Sequence, residues 1–177
     1  MPSKIYKKIL ETPIGTIGLW GSEKGLSRIL LPEKSKSSLI EKLDIQTQGS
    51  CAGIEKPTWS SDIERMLLNF LRGADVNFKK VPLDFKASIF QQKVYEKLKE
   101  IPYGSRVSYK ELACLIGNES AARAVGTAMK KNPVPIIIPC HRVVSSKLNF
   151  LGGFSAYEGT KLKEKLLKLE KCKQKLY

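Results

Sequence analysis

Along the first thirty or so residues, apolar positions are spaced as in short strands broken by turns. Ile5, Ile9, Ile14, Ile17, Leu19, Ile29 and Leu30 lie between turn signals at Thr12-Pro13, Gly15, Gly21-Ser22 and Lys24-Gly25. The stretch from Lys4 to Leu31 is therefore predicted to be β-structure. From Pro32 to Pro57 the chain is polar and rich in Ser and Lys, with a short helix expected around Leu39 to Leu43 and a surface loop over Gln46 to Ser50. Ser61-Asp62-Ile63-Glu64 has the spacing of a capping box and is expected to open a helix. Ile63, Met66, Leu67, Phe70 and Leu71 recur at helical intervals up to Gly73, a C-terminal stop. Val76, Phe78 and Val81 then alternate as a strand ending at Pro82.

Beyond Leu83 to Lys86 the pattern changes to a period near 3.6 residues. The domain boundary is placed there, giving an α/β scaffolding domain over residues 1–84 and a mainly helical domain over 85–177. Ser88-Ile89-Phe90-Gln91 caps a helix that turns Phe90, Val94 and Leu98 inward, and Ile101-Pro102-Tyr103-Gly104 makes a turn. Ser108-Tyr109-Lys110-Glu111 is a second capping box, opening a short helix through Leu112, Leu115 and Ile116 to Gly117-Asn118. Another helix is expected from Ser120 to Lys131, and the pair has the form of a helix-turn-helix. In the second helix Ala121, Ala122, Ala124, Gly126, Thr127 and Ala128 are small, with Arg123 among them. Small side chains let a helix backbone approach another helix or the groove of a duplex.

The last helix is expected from Gly159 to Gln174, with Leu162, Leu166, Leu167 and Leu169 on one face and Lys161, Lys165, Lys168 and Lys171 on the other. Glu170 falls among the leucines, where a carboxylate is costly without a polar partner. Two partners suit it: Lys163 on the same face, as a salt bridge, or His141, which it would orient.

The net charge of +14, from 31 Lys and Arg against 17 Asp and Glu, changes the picture by favouring polyanions, nucleic acid foremost. A lysine-rich surface of the kind found in heat-adapted proteins has the same composition, so the charge gains meaning only beside the helix pair. No apolar run approaches the ~20 residues that cross a bilayer, and Met1 to Lys8 lacks the apolar core of a signal peptide. A cytoplasmic protein, nucleoid-associated in a prokaryote, is expected, with no membrane partner.

Cys51, Cys114, Cys140 and Cys172 are scattered, with no Cys-x-x-Cys pair and a single histidine, so neither a zinc site nor a disulfide framework is expected. The chemistry concentrates in the run from Asn132 to Val144, Asn-Pro-Val-Pro-Ile-Ile-Ile-Pro-Cys-His-Arg-Val-Val. Three isoleucines predict a buried segment that Pro139 ends sharply, delivering Cys140 beside His141. A thiol next to an imidazole can be held as the nucleophilic thiolate, although a free cysteine is as readily a small core residue.

These blocks resemble the O6-alkylguanine-DNA alkyltransferases. The resemblance is carried by Val107-Ser108-Tyr109, by Ala121-Ala122-Arg123-Ala124-Val125-Gly126, by Asn132 to Val144, and by Lys163-Glu164, Leu166-Leu167 and Glu170. It spans Leu83 to Glu170; the first half of the chain is compatible with the family's ribonuclease-H-like domain by analogy. The resemblance implies a winged helix-turn-helix-like second domain and DNA repair by direct reversal. An alkyl group would pass from O6 of guanine in double-stranded DNA to Cys140, once and irreversibly, with no cofactor and as a monomer; O4 of thymine is a further candidate position.

By position, His141 is the base acting through a water, Glu170 orients it, and Asn132 bonds backbone near the active turn. Tyr109, Val143 and Ser155 line the base pocket. Arg123 is the finger that replaces the flipped base, and Ala121, Ala122, Gly126 and Thr127 face DNA. The chain departs from the family pattern in the length of Gly152 to Gly159 and in Phe154, where relatives often carry Tyr. The competing readings are an alkyltransferase-like protein that binds lesions without the cysteine, a helix-turn-helix regulator with an inert cysteine, and a cysteine hydrolase with repeated turnover.

Overall fold

The alternation of the first residues becomes an antiparallel sheet of three strands in the order β1–β2–β3: β1 (Tyr6–Thr12), β2 (Gly15–Ser22) and β3 (Gly25–Leu30). The structure, a computed structural model, describes residues 5–47, 56–146 and 151–171. The chain divides into two units, Met1–Phe85 with Ala156–Glu158, and Lys86–Ser155 with Gly159–Tyr177. The architecture is mixed α/β, with both longer helices of the first unit packed on its sheet.

In the first unit the register shifts at Trp20/Gly21, and Gly21 is required there. A Cβ on it would run into the Gly25 carbonyl and the Trp59 ring. Helix α1 (Lys36–Gln46), capped by Ser35, packs on β2, and α2 (Thr58–Leu71) packs on β1. The core is Ile17, Leu19, Leu26, Leu39, Ile63, Leu67, Phe70 and Leu71, all essentially inaccessible.

The first unit departs from the sequence expectations at two places. Helix α2 begins three residues before Ser61, behind Pro57, whose extended ψ of 148° sets the entry without a side-chain cap. Trp59 secures the first turn by donating from Nε1 to the Ser22 carbonyl at 3.0 Å. Glu64 serves the fold instead of a cap, accepting from the Tyr6 hydroxyl at 2.7 Å. The helix does stop at Gly73, at φ 91°, where the Gly73 and Ala74 amides return to Phe70 and Asn69.

The second correction concerns Val76 to Val81, which form no strand. Val81 turns back to the Phe78 carbonyl and Asn77 accepts from the Lys79 amide, so buried Phe78 and Val81 anchor a turn. The extended contact falls just later. Leu26 pairs with Leu83, through bonds of 3.0 Å to the Pro82 carbonyl and 2.9 Å from the Asp84 amide.

The second unit is helical, as the period indicates. Both expected capping boxes form, at Ser88/Gln91 for α3 (Ile89–Glu100) and at Ser108/Glu111 for α4 (Tyr109–Leu115). After the turn at Gly117 (φ 74°) and a single 3₁₀ turn over Glu119–Ala121, α5 (Ala122–Lys130) packs on α3 and α4. Two short strands, β4 (Val107–Ser108) and β5 (Val143–Val144), pair in parallel, Val107 with Val143 and Ser108 with Val144. That pairing fixes the start of α4 beside the residues that follow Cys140. Helix α6 (Thr160–Leu169) ends with Glu170 as its C-cap and Lys171 at φ 50°. It therefore stops short of Gln174, whose own placement lies outside the described residues. Cys51, Cys172 and the loop expected over Gln48 to Ser50 lie outside them too.

Candidate active site

Cys140 is presented by a turn that the proline and isoleucine run builds. Val134, Ile136, Ile137 and Ile138 are buried, and the Ile138 amide reaches back to the Val134 carbonyl at 3.0 Å. Ile136 sits at φ 77°, in the left-handed region that a β-branched residue rarely enters. Pro139, at φ −80° and ψ 62°, is the centre of an inverse γ-turn closed by the Cys140 amide on the Ile138 carbonyl at 2.8 Å. Asn132 staples this segment, its Nδ2 donating to Ile138 O at 2.8 Å and its Oδ1 accepting from the Val134 amide at 3.1 Å.

The Cys140 side chain is buried, with 6% of the residue exposed. Burial pushes its thiol up, against opposing hydrogen bonds from the Asn132 side chain and the Cys140 and His141 amides and the positive field of Lys163. Desolvation thus outweighs the donors and opposes the thiolate that the imidazole was expected to hold.

His141 follows on the same 3₁₀ turn but directs its Nε2 to Glu170 Oε1, at 2.8 Å, in a pair with no exposed side-chain surface. Glu170 also meets the guanidinium of Arg142, which donates from Nε to both carboxylate oxygens at 3.1 Å and from Nη2 to Oε1 at 2.9 Å. Oε2 takes a further bond from the Gly104 amide at 3.2 Å. Burial works against the charge on Glu170, but His141 and Arg142 outweigh it and hold the carboxyl at about 2. Burial, joined by the charges of Arg142 and Lys163, pushes His141 down against the lift from Glu170, and so favours the neutral ring.

Of the two partners open to Glu170 in the sequence, the salt bridge to Lys163 is not made. Lys163 is fully buried, and its Nζ donates 2.6 Å bonds to the carbonyls of Val143 and Leu151. Its ammonium also stands 5.9 Å from the centre of the Tyr109 ring. Desolvation drops its pKa to about 8, against a smaller opposing pull from Cys140.

Tyr109, half-buried at the start of α4, lies between α5 and Gly152: a Cβ on Gly152 would come within 3.0 Å of its hydroxyl. Val143 is fully buried on β5, and Ser155 is exposed in the loop before α6. Of the residues expected at the DNA face, Arg123 and Thr127 are exposed on α5, Ala122 and Gly126 are half-buried, and Ala121 is buried in the 3₁₀ turn. The structure thus gathers Asn132, Cys140, His141, Glu170 and Lys163 around one turn, with Tyr109 beside Lys163. Sequence reasoning placed the 101–104 turn but missed that the turn and Arg142 both serve Glu170. The only signal for Arg142 was its place beside His141.

Among the described residues no group of three or more His, Cys, Asp or Glu gathers as metal ligands would, and no helix is long and apolar enough to cross a membrane.

Residues 89–172 match the family model described as 6-O-methylguanine DNA methyltransferase, DNA binding domain. A methylated-DNA–protein-cysteine methyltransferase of Methanosarcina acetivorans is 39% identical over 94% of this chain and 98% of its own length. The crystal structure of the Mycobacterium tuberculosis O6-methylguanine methyltransferase superposes with a TM-score of 0.72 at 34% identity, over 94% of this chain and 93% of that one. The crystal structure of Mycobacterium tuberculosis OGT in complex with DNA gives 0.71 at 32% identity, over 93% and 92%.

Proposed function

The chain belongs to the methylated-DNA–protein-cysteine methyltransferase family, and from that membership we propose that it repairs O6-alkylguanine in double-stranded DNA by moving the alkyl group irreversibly onto Cys140. The observation that carries this reading is the buried His141–Glu170 bond on the turn that presents Cys140. A neutral imidazole with its Nε2–H engaged by a carboxylate has Nδ1 as its basic atom.

The proton of the thiol leaves for His141 Nδ1 through a bridging water as substrate arrives. Sulfur then attacks the alkyl carbon, the C–O6 bond breaks with its electron pair going to guanine, and guanine takes up one proton. The net change is thiol to thioether and alkylguanine to guanine, with no cofactor. Asn132 and the turn amides carry the developing thiolate. Because the resting site holds a thiol, the nucleophile is made only when the substrate excludes water and the proton can pass on.

On this reading residues 1–84 are a ribonuclease-H-like scaffold and 85–177 a winged helix-turn-helix domain that binds the minor groove as a monomer in the cytoplasm. A base within a duplex is out of reach of a buried sulfur, so it must be flipped out. Arg123, exposed on a helix of small residues, takes its place in the stack, helped by the half-buried Ala122 and Gly126 and by Thr127. Ala121, being buried, supports that helix from behind. Tyr109, Val143 and Ser155 line the pocket for the flipped base, and the net charge of +14 supplies attraction to phosphates.

The reading is tested by counting methyl groups removed from an O6-methylguanine duplex in excess. A plateau at one per protein is expected. Continued turnover would indicate a hydrolase, and binding without removal a regulator or a lesion binder.

A further inference from the structure

We propose that Arg142 is a positioning residue of the transfer reaction: its guanidinium balances the charge of Glu170, so that the carboxylate fixes the His141 ring without drawing a proton onto it. The inference rests on the transfer reading above. Both oxygens of the Glu170 carboxylate are occupied. Oε1 accepts from His141 Nε2 at 2.8 Å and from Arg142 Nε and Nη2 at 3.1 and 2.9 Å. Oε2 accepts from Arg142 Nε at 3.1 Å and from the Gly104 amide at 3.2 Å. The far end of the guanidinium is anchored, with Nη1 donating to the Ile101 carbonyl at 2.5 Å. Arg142 therefore cannot swing away from Glu170 without abandoning a buried carbonyl.

A histidine buried against a lone carboxylate is drawn toward the imidazolium, because an opposite charge at hydrogen-bond distance favours the charged form. An imidazolium formed from solvent is useless as a base for Cys140. Here Glu170 and Arg142 cancel, one carboxylate against one guanidinium, and a protonated His141 would add an uncompensated positive charge to that pair. Each charged group facing the ring fits this balance. Glu170 pulls a proton toward it, whereas Arg142 and the Lys163 ammonium push it away, and Cys140 rests as a thiol. Glu170 keeps its orienting bond, and Arg142 keeps that bond from disabling the base.

The test uses a convenience of the sequence: His141 is the only histidine, so one imidazole C2–H resonance reports its protonation without any DNA. In Arg142→Gln that resonance should titrate at least about one pH unit above wild type, the usual scale for losing a neighbouring charge. Arg142→Lys should stay near wild type. The acid limb of the rate of transfer from free O6-benzylguanine should move to higher pH in parallel, so that the rate at a fixed acidic pH falls about tenfold per unit, with the alkaline plateau retained.

Coincident titrations of wild type and Arg142→Gln, or a Lys variant that moves as far as the Gln variant, would overturn the proposal and leave Arg142 a clamp. Should Arg142→Gln not fold, Glu170→Gln and Glu170→Gln/Arg142→Gln are compared. The double variant should titrate higher because the guanidinium no longer repels the proton, and equal values would overturn the idea. A wild type that never takes up an alkyl group would instead defeat the transfer reading, whatever the resonance does.

Discussion

Asn132 Nδ2 donates to the carbonyl of Ile138 at 2.8 Å, so one side chain spans the whole turn that delivers Cys140. With its Oδ1 on the Val134 amide, it holds Ile136 in a left-handed conformation that an isoleucine would otherwise leave. Such a conformation costs on the order of 1–3 kcal/mol and persists only where the surroundings enforce it.

Replacing Asn132 by Ala should therefore do two things. The Val134 amide loses its partner, at about 1–3 kcal/mol, and the Ile138 carbonyl keeps only the Cys140 amide, so the melting temperature should fall. The thiol also loses a donor that favours its anion, so reaction with free O6-benzylguanine should slow. Unchanged melting and unchanged rate together would remove Asn132 from the site.

His141→Ala and Glu170→Gln should separate chemistry from support. Losing the base should slow transfer about 10²-fold or more with the fold intact. Losing the carboxylate charge slows transfer less but leaves buried Arg142 uncompensated, a type of change costing about 3–5 kcal/mol. The folded Glu170 carboxyl, at about 2, lies below its ordinary value of 4.5. Its stabilising contribution is therefore complete above the ordinary value and is lost as pH falls through the folded one. Wild type should lose stability across that acid window in chemical denaturation, and Glu170→Gln should lack that component.

Lys163 gives the opposite end of the pH scale. Its folded pKa of about 8 is below the ordinary 10.5, so the fold favours the neutral amine. Stability from this group is present above the ordinary value and lost as pH falls toward and through the folded one. Between roughly pH 8 and pH 10 the wild type should gain stability relative to Lys163→Met, in which nothing titrates at this position. Parallel melting curves for the two proteins over that range would show that the buried ammonium is not strained by desolvation.

How far this site could be read in advance follows from where each signal lies. The turn from Asn132 to Cys140 is local, and its prolines and isoleucines announce it. The capping boxes at Ser88 and Ser108 are local too, and both form. At Ser61 the same spacing misled, because Glu64 is spent on Tyr6 and the Trp59 indole ties the first turn to the Ser22 carbonyl. The partners of Glu170 and Lys163 depend on how α6 meets β5 and the 101–104 turn. A helical wheel places Lys163 near Glu170 on one face but cannot know that two carbonyls and a guanidinium compete for them. The thiol also looked more acidic in the sequence than in the fold, since proximity in the chain says nothing of desolvation.

Arg123, exposed on α5, should matter for extruding the base rather than for holding DNA. Arg123→Ala removes one charge from a protein of net +14, so affinity should change modestly while the flipped base loses its replacement in the stack. Transfer from an O6-methylguanine duplex should fall, and transfer from free O6-benzylguanine should not. Equal losses on both substrates would rule out the finger role.

The central claim is that Cys140 alone receives the alkyl group, from a site that stores a thiol and activates it on demand. The most direct measurement is the intact mass of the protein after incubation with an O6-methylguanine duplex, followed by mapping of the modified peptide. A gain of one methyl group per chain, confined to the peptide bearing Cys140 and absent in Cys140→Ala, is expected. No gain in mass, or an adduct on Cys51, Cys114 or Cys172, would contradict it.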